Sequence, residues 1–398
     1  MRLNGCKIRR FNFNKVILST FLLLFLVWAF VRTKLKEHNG VIRKSRITDD
    51  TRQSSSDLNW SDVANQTKIK IDKQAINSTE IKKLEDKNEI TDISLNPETA
   101  LSLKSTTGLT QMLQSTIQKA YLIENPDLCS SVKDLKVLVI VHSATSNFEK
   151  RQVIRQTWTN NSYYPDLGIV RRLFLLGRTI DKEKQSRIEQ EFKNYTDILQ
   201  GDFVDSYHNI TLKGVMGYKW ISERCRNAKV ILKVDDDVII NMFSFLTTYV
   251  STILSKSNHI LCRRLSNVVI HRNTNGSWYV NPEEFSGKRT YPTFCQGFMA
   301  SFSNDVIPSL YKSATITPFF WIDDVYLYGL VPKNIPKINY TSLTYGKDII
   351  WGGEDAIQCY SRNMKCKYTV VLIWTDVPNH MEKIWSLMLH NEKRLKTS

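Results

Sequence analysis

Residues 230–240 read VILKVDDDVII. Three adjacent carboxylates interrupt an apolar, β-branched run of the kind that forms buried strand. Unpaired buried charge is very costly, so a strand ending this way must meet something positive. A hard divalent cation with oxygen ligands is the simplest partner, and at a strand end it can in turn hold a diphosphate. In an extended chain, alternation predicts Asp235 and Asp237 on one face and Asp236 on the other. The triplet alone fits a glycosyltransferase, a metal phosphatase, a calcium site or a solvated acidic turn.

The strands around it define the fold class. Residues 136–142 (KVLVIVH) form a short continuous apolar run, as in a buried parallel strand. A helix is expected over 148–157, a strand over 172–177, a charged helix over 181–193, a short strand over 195–199, a helix over 211–225 and a strand over 230–234. Strands alternating with helices predict an α/β fold with a mainly parallel sheet, which binds ligands beyond the carboxyl ends of its strands. Beyond Met242 the pattern is mixed. Strands are expected at 267–271 and 278–280, joined by a turn at 273–276.

The 398 residues carry a formal net charge of +16, but no compact basic run interleaved with aromatics, so no nucleic-acid partner is expected. Val16–Val31 is an uncharged apolar run, short for an average bilayer but suited to the thinner early secretory membranes. The sequence after it is a poor signal-peptide cleavage site, so an uncleaved anchor is expected. Basic residues on its two sides nearly balance and do not orient it. Eight Asn-x-Ser/Thr sequons, at Asn59, Asn65, Asn77, Asn160, Asn194, Asn209, Asn275 and Asn339, argue for a lumenal body. So do the six cysteines beyond the anchor, which permit three disulfides and contain no CxxC zinc pair. The expected organisation is a tail at 1–15, an anchor at 16–31, a polar stem at 32–125 and a catalytic domain at 126–398.

Four further segments carry candidate chemistry. Trp321–Gly329 (WIDDVYLYG) sets a carboxylate pair among large apolar residues. Burial and a like-charged neighbour both raise a carboxyl pKa, which suits a general base, although acidic residues also favour helix N-termini. Arg151 and Arg155 share one helical face, toward phosphate or toward water. Residues 202–213 (DFVDSYHNITLK) open a helix, with Asn209 or Thr211 as cap. Residues 291–298 (YPTFCQGF) are an aromatic loop suited to a sugar ring or to a core.

In this order, RQVIRQTW (151–158), FLLG (174–177), DFVDSYHNITLK (202–213), KVDDDV (233–238), YPTFCQG (291–297), IDDVYLYG (322–329) and MEKIW (381–385) resemble the Golgi β-1,3-galactosyltransferase and N-acetylglucosaminyltransferase family. The resemblance spans about residues 136–385 and includes the anchor-and-stem layout. It implies a Rossmann-like nucleotide-sugar transferase fold of the GT-A type and an inverting reaction in the Golgi by a single-pass type II protein. It implies a UDP-sugar donor, UDP-galactose first and N-acetylhexosamine donors next, and a glycan acceptor on glycoprotein or glycolipid. Carried over, Asp235 and Asp237 hold Mn²⁺ (or Mg²⁺), Asp324 is the base, and Arg151, Arg155, Asp205, Lys213 and Asp236 bind the donor. Two departures stand out. The second glycine of the family's Gly-x-Gly-Tyr is missing from Gly297-Phe298-Met299-Ala300, which predicts a reshaped sugar pocket. Trp374 replaces a family histidine, leaving His380 as the candidate third metal ligand. These departures also raise two rivals: an inactive glycan-binding relative and a lumenal metal-dependent phosphohydrolase.

Overall fold

A computed structural model describes residues 110–397 except 112, 363–365 and 374–378. The expected tail, the anchor, most of the stem and Trp374 lie outside the described residues. No helix among the described residues is long and apolar enough to cross a membrane.

The chain builds β1 (Leu135–His142), α1 (Phe148–Gln156), β2 (Ile169–Arg178), α2 (Lys182–Tyr195), β3 (Ile198–Val204), α3 (Ile210–Arg224) and β4 (Val230–Asp235). There follow β5 (Val238–Ile240), β6 (His259–Leu265), β7 (Phe294–Ser303), α4 (Ile307–Ala314), β8 (Asn339–Ser342), β9 (Ile349–Trp351), α5 (Gly353–Arg362), β10 (Val370–Leu372) and α6 (His380–Thr397). The main sheet has the order β3-β2-β1-β4-β7-β6-β8. It is mainly parallel, as expected, with β7 running antiparallel to both neighbours. A small sheet has the order β5-β10-β9.

The continuous apolar reading of β1 has a direct cause. Val137, Val139 and Val141 pack into one hydrophobic cluster with Ile154 and Trp158. Leu138 and Ile140 pack into the other with Leu212, Val215 and Met216 of α3. Both faces are covered, so neither needs polar residues. The chain passes from β1 outward through β2 to β3, then returns to place β4 on the other side of β1. The loops after β1 and β4 therefore diverge, and the crevice between them is where an open α/β sheet binds its ligand. That crevice begins at His142 and Asp235, whose Cα atoms are register partners.

Four expectations need correction. The strand expected over 195–199 begins only at Ile198, because α2 runs to Tyr195 and Thr196 is left-handed at φ 53°. The strands expected at 267–271 and 278–280 are irregular chain. There Asn267 has φ 59°, and the backbone pairs only at scattered points, Ile270 N–H to the Arg289 carbonyl and Val280 N–H to the His271 carbonyl, without a continuous ladder. The acidic triplet does not alternate: β4 ends at Asp235, and Asp236–Asp237 turn into β5. Finally, the packed core extends before 126, into the stretch expected as stem. Leu113 and Ile117 are buried in it, and Leu122 donates its backbone N–H to the Gln200 carbonyl at 2.8 Å.

Three disulfides join Cys129–Cys225, Cys262–Cys295 and Cys359–Cys366. The first ties the segment before β1 to the end of α3 across 96 residues. Closing a loop of that length removes roughly 4–5 kcal/mol of unfolded-state entropy. The Cys129→Ala/Cys225→Ala double variant is therefore expected to lose about 2–5 kcal/mol of unfolding free energy, read by chemical denaturation.

Candidate active site

A crevice of about 820 Å³ opens at the carboxyl end of the sheet. The Asp235–Asp237 turn, Asp323 and Asp324 line it, together with His142 at the end of β1 and Ser143 just after it. The two acidic motifs, 86 residues apart in sequence from Asp237 to Asp323, thus face one space.

The three aspartates of the turn differ in environment. Asp235 accepts from the Lys233 ammonium at 2.6 Å. Asp236 accepts from Ser143 Oγ at 2.7 Å and Asn147 Nδ2 at 2.8 Å, so it anchors the loop between β1 and α1. Asp237 accepts no hydrogen bond from another described side chain. Burial, then the Asp235 and Asp236 charges, push its carboxyl up to about 6.

Asp323 and Asp324 begin a short helical turn, Asp323–Val325. Burial raises both carboxyls, that of Asp324 well above the usual range, and for Asp324 the Asp323 charge adds to this. Lys233 and the Gly297 backbone N–H pull Asp324 the other way. Gly297 has a steric reason to be glycine: a methyl group on its Cα would overlap the Asp324 carboxylate.

Lys233 lies beneath all of this, 2% exposed, and donates to Asp235 and to the Gly297 carbonyl at 2.5 Å. Burial opposes its charge, but Asp235, Asp323 and Asp324 outweigh burial and lift its pKa. His142, 7% exposed, has no partner for either ring nitrogen. Burial, then Lys233 and Lys213, hold its pKa well below the ordinary imidazole value.

Neither arginine reaches the crevice. Arg151 and Arg155, expected to face phosphate or water, are buried in ion pairs behind it. Arg151 binds both oxygens of Glu191, with its Nη2 at 2.7 Å, and donates to the Ala144 carbonyl at 2.7 Å. Arg155 bridges Glu191 at 2.6 Å and Asp197 at 2.7 Å. The acids α2 and its following turn supply consume the guanidinium donors, so the pair braces the β1–α1 loop. Asp205 and Lys213 do line the crevice, but they pair at 3.1 Å. Lys213 also donates to the Ser143 carbonyl at 2.6 Å, and Asp205 accepts the Gly177 N–H at 2.7 Å. His380 Nε2 meets Glu354 at 3.0 Å. It lines a neighbouring groove with Asp236 and Asp237, yet no three His, Cys, Asp or Glu side chains among the described residues gather as a metal-ligand group. Met299, at the position of the missing glycine, packs in the core and does not line the crevice, whereas Phe298 does. The expected reshaping therefore does not come from Met299.

Sequence reasoning missed three features. Lys233 carried a signal, because a lysine inside an apolar strand run must be paired. His142 carried a weaker one as the polar end of such a run. The aromatic rim carried little: Tyr207 and Trp278 are half exposed, and Trp278 Nε1 donates to Tyr207 Oη at 2.7 Å. Both line the crevice mouth, as do Tyr291 and Phe294 of the aromatic loop. Apolar ring faces beside buried carboxylates suit a carbohydrate.

The galactosyltransferase family profile matches residues 149–343. β-1,3-Galactosyltransferase 1 of Mus musculus and of Homo sapiens is 31% identical over 280 residues, covering 67% of this chain and 78% of that protein. β-1,3-Galactosyltransferase 2 of Homo sapiens is 30% identical over 210 residues, covering 52% and 49%. A solved glycosyltransferase involved in glycosylation of the major capsid of PBCV-1 matches at TM-score 0.33 and 12% identity, over 63% of this chain and 98% of that one, too weak to add an argument. The family profile and the relatives make this chain a glycosyltransferase. The chain belongs to the β-1,3-galactosyltransferase family.

Gly297→Ala is expected to displace the Asp324 carboxylate and lower transfer at least about 100-fold, the scale of removing a general base. The check is glycosyl transfer by a variant whose circular dichroism matches the parent.

Proposed function

We propose that this chain transfers galactose from UDP-galactose, with inversion, in β-1,3 linkage to a glycan of a glycoprotein or glycolipid. One observation supports the reading: the Asp235–Asp237 turn and Asp324, carried on separate elements of the chain, line one crevice at the switch point of the sheet. Single displacement needs that separation, with the leaving group held on one side and a base on the other. The names of the relatives support galactose as the sugar and β-1,3 as the linkage.

The donor set fits Mn²⁺ or Mg²⁺. All three groups in the turn are hard oxygen ligands, and a cation would offset both the burial and the neighbouring charges that lift Asp237. An open carboxylate site, without a closed protein cage, suits an ion shared with substrate phosphates. Asp235 and Asp237 would hold the ion, which when bound would stabilise the departing UDP as a Lewis acid. Asp236 keeps the β1–α1 loop in place through Ser143 and Asn147. Lys213 and Asp205 fix the floor. Asp324 takes the proton of the acceptor hydroxyl, and its raised pKa makes it a stronger base than an exposed carboxylate.

We further propose a single-pass type II protein of the Golgi membrane with the catalytic domain lumenal. The apolar run at 16–31, the three disulfides and five described sequon asparagines, none of them buried, support this placement.

The full-length chain with Mn²⁺, UDP-galactose and a panel of simple acceptor sugars is expected to yield a β-1,3-linked product. No turnover of any UDP-sugar would refute the reading, and phosphate release without transfer would favour a hydrolase. Asp324→Asn is expected to abolish transfer and also to raise stability at neutral pH. The sign follows from the raised carboxyl: the native state holds its proton in a range where the unfolded state has lost it, so this group's contribution falls as pH rises through the native value. The melting-temperature gain should be present at pH 7 and vanish below about pH 4, where both states are protonated.

A further inference from the structure

We propose that His142 binds a hydroxyl of the hexose carried by the nucleotide-sugar donor. This assignment rests on the reading of the crevice as a UDP-sugar site. His142 is the last residue of β1, register partner to Asp235, and lines the same crevice as Asp324. It is 7% exposed, and neither ring nitrogen has a hydrogen-bond partner. Buried polar atoms are nearly always paired, and the exceptions mark places where something else supplies the partner.

The surroundings select the chemistry of that partner. Lys213 lines the crevice and Lys233 is buried beneath Asp235, two ammonium groups that disfavour a metal cation at the imidazole. Both ammonium groups are already engaged, Lys213 by Asp205 and the Ser143 carbonyl, Lys233 by Asp235 and the Gly297 carbonyl. The acidic walls, Asp205, Asp235, Asp323 and Asp324, disfavour a bare anion. What remains is a neutral polar ligand. An imidazole held neutral offers one N–H donor and one bare acceptor. A sugar hydroxyl both donates and accepts, so it matches either nitrogen. The place also fits: in a single displacement the transferred ring lies between the leaving group and the base.

The test is calorimetric titration of the detergent-solubilised full-length chain, with saturating Mn²⁺, using UDP, UDP-galactose, UDP-glucose and UDP-N-acetylglucosamine. For the UDP-sugar the parent binds best, His142→Phe is expected to weaken binding at least about fivefold while UDP binding changes less than about twofold. Those ratios reflect loss of one hydrogen bond confined to the sugar. His142→Gln, whose amide also donates and accepts, should recover most of the loss. Donors lacking single hydroxyls should bind the parent less well at one position and bind His142→Phe without that distinction. Equal weakening of UDP and UDP-sugar would overturn the assignment in favour of a phosphate, metal or folding role. Unchanged UDP-sugar binding by His142→Phe would overturn it as well, leaving the transferase reading intact. A parent that binds no UDP-sugar would remove both.

Discussion

The Lys233 ammonium sits in the interior with two contacts, the Asp235 carboxylate and the carbonyl of Gly297. Those contacts join β4, which delivers the acidic turn, to β7, which carries the surface on which Asp324 rests. A buried cation without partners is prohibitively costly, and carboxylates crowded into one half-buried crevice repel one another without a cation nearby. Each makes the other tolerable. The placement of Asp235 relative to Asp324 is therefore tied to this ion pair and to the β4–β7 ladder.

Around that centre the fold acts as bracing. The Glu191–Arg151–Ser143–Asp236 chain of contacts runs from α2 to the acidic turn. Lys213 reaches the same loop from α3 through the Ser143 carbonyl. Removing one member of such a buried set typically costs about 3–5 kcal/mol, because its partner is left charged and alone. Arginines that looked like ligand contacts in the sequence thus lie one step behind the crevice, holding the loop that lines it.

The sequence made the fold class legible because parallel strands covered on both faces become continuous apolar runs, as in residues 136–142 and 230–234. It showed the two carboxylate motifs for the same reason: acids inside apolar sequence are conspicuous. It misplaced Arg151 and Arg155 because i, i+4 spacing identifies a shared helical face without saying what covers that face, and Glu191 and Asp197 lie about 40 residues away in the chain. It misread the chain over 267–280 because apolar β-branched residues there pair only at scattered points, with Val268 bonded to Tyr291 and His271 to Val280, and periodicity does not show where a ladder fails to propagate. The role of His142 was out of reach, since an unpaired nitrogen is a property of three-dimensional surroundings.

The Cys262–Cys295 bridge pinches together the base of a 33-residue stretch that reaches out to the crevice rim with His271, Trp278 and Tyr291. A covalent clasp at the root leaves the span beyond it free to drift in sequence and length without disturbing the registry of β6 and β7. Related chains can in this way acquire new rims over an unchanged floor, so divergence in what is recognised need not be accompanied by divergence in how it is processed.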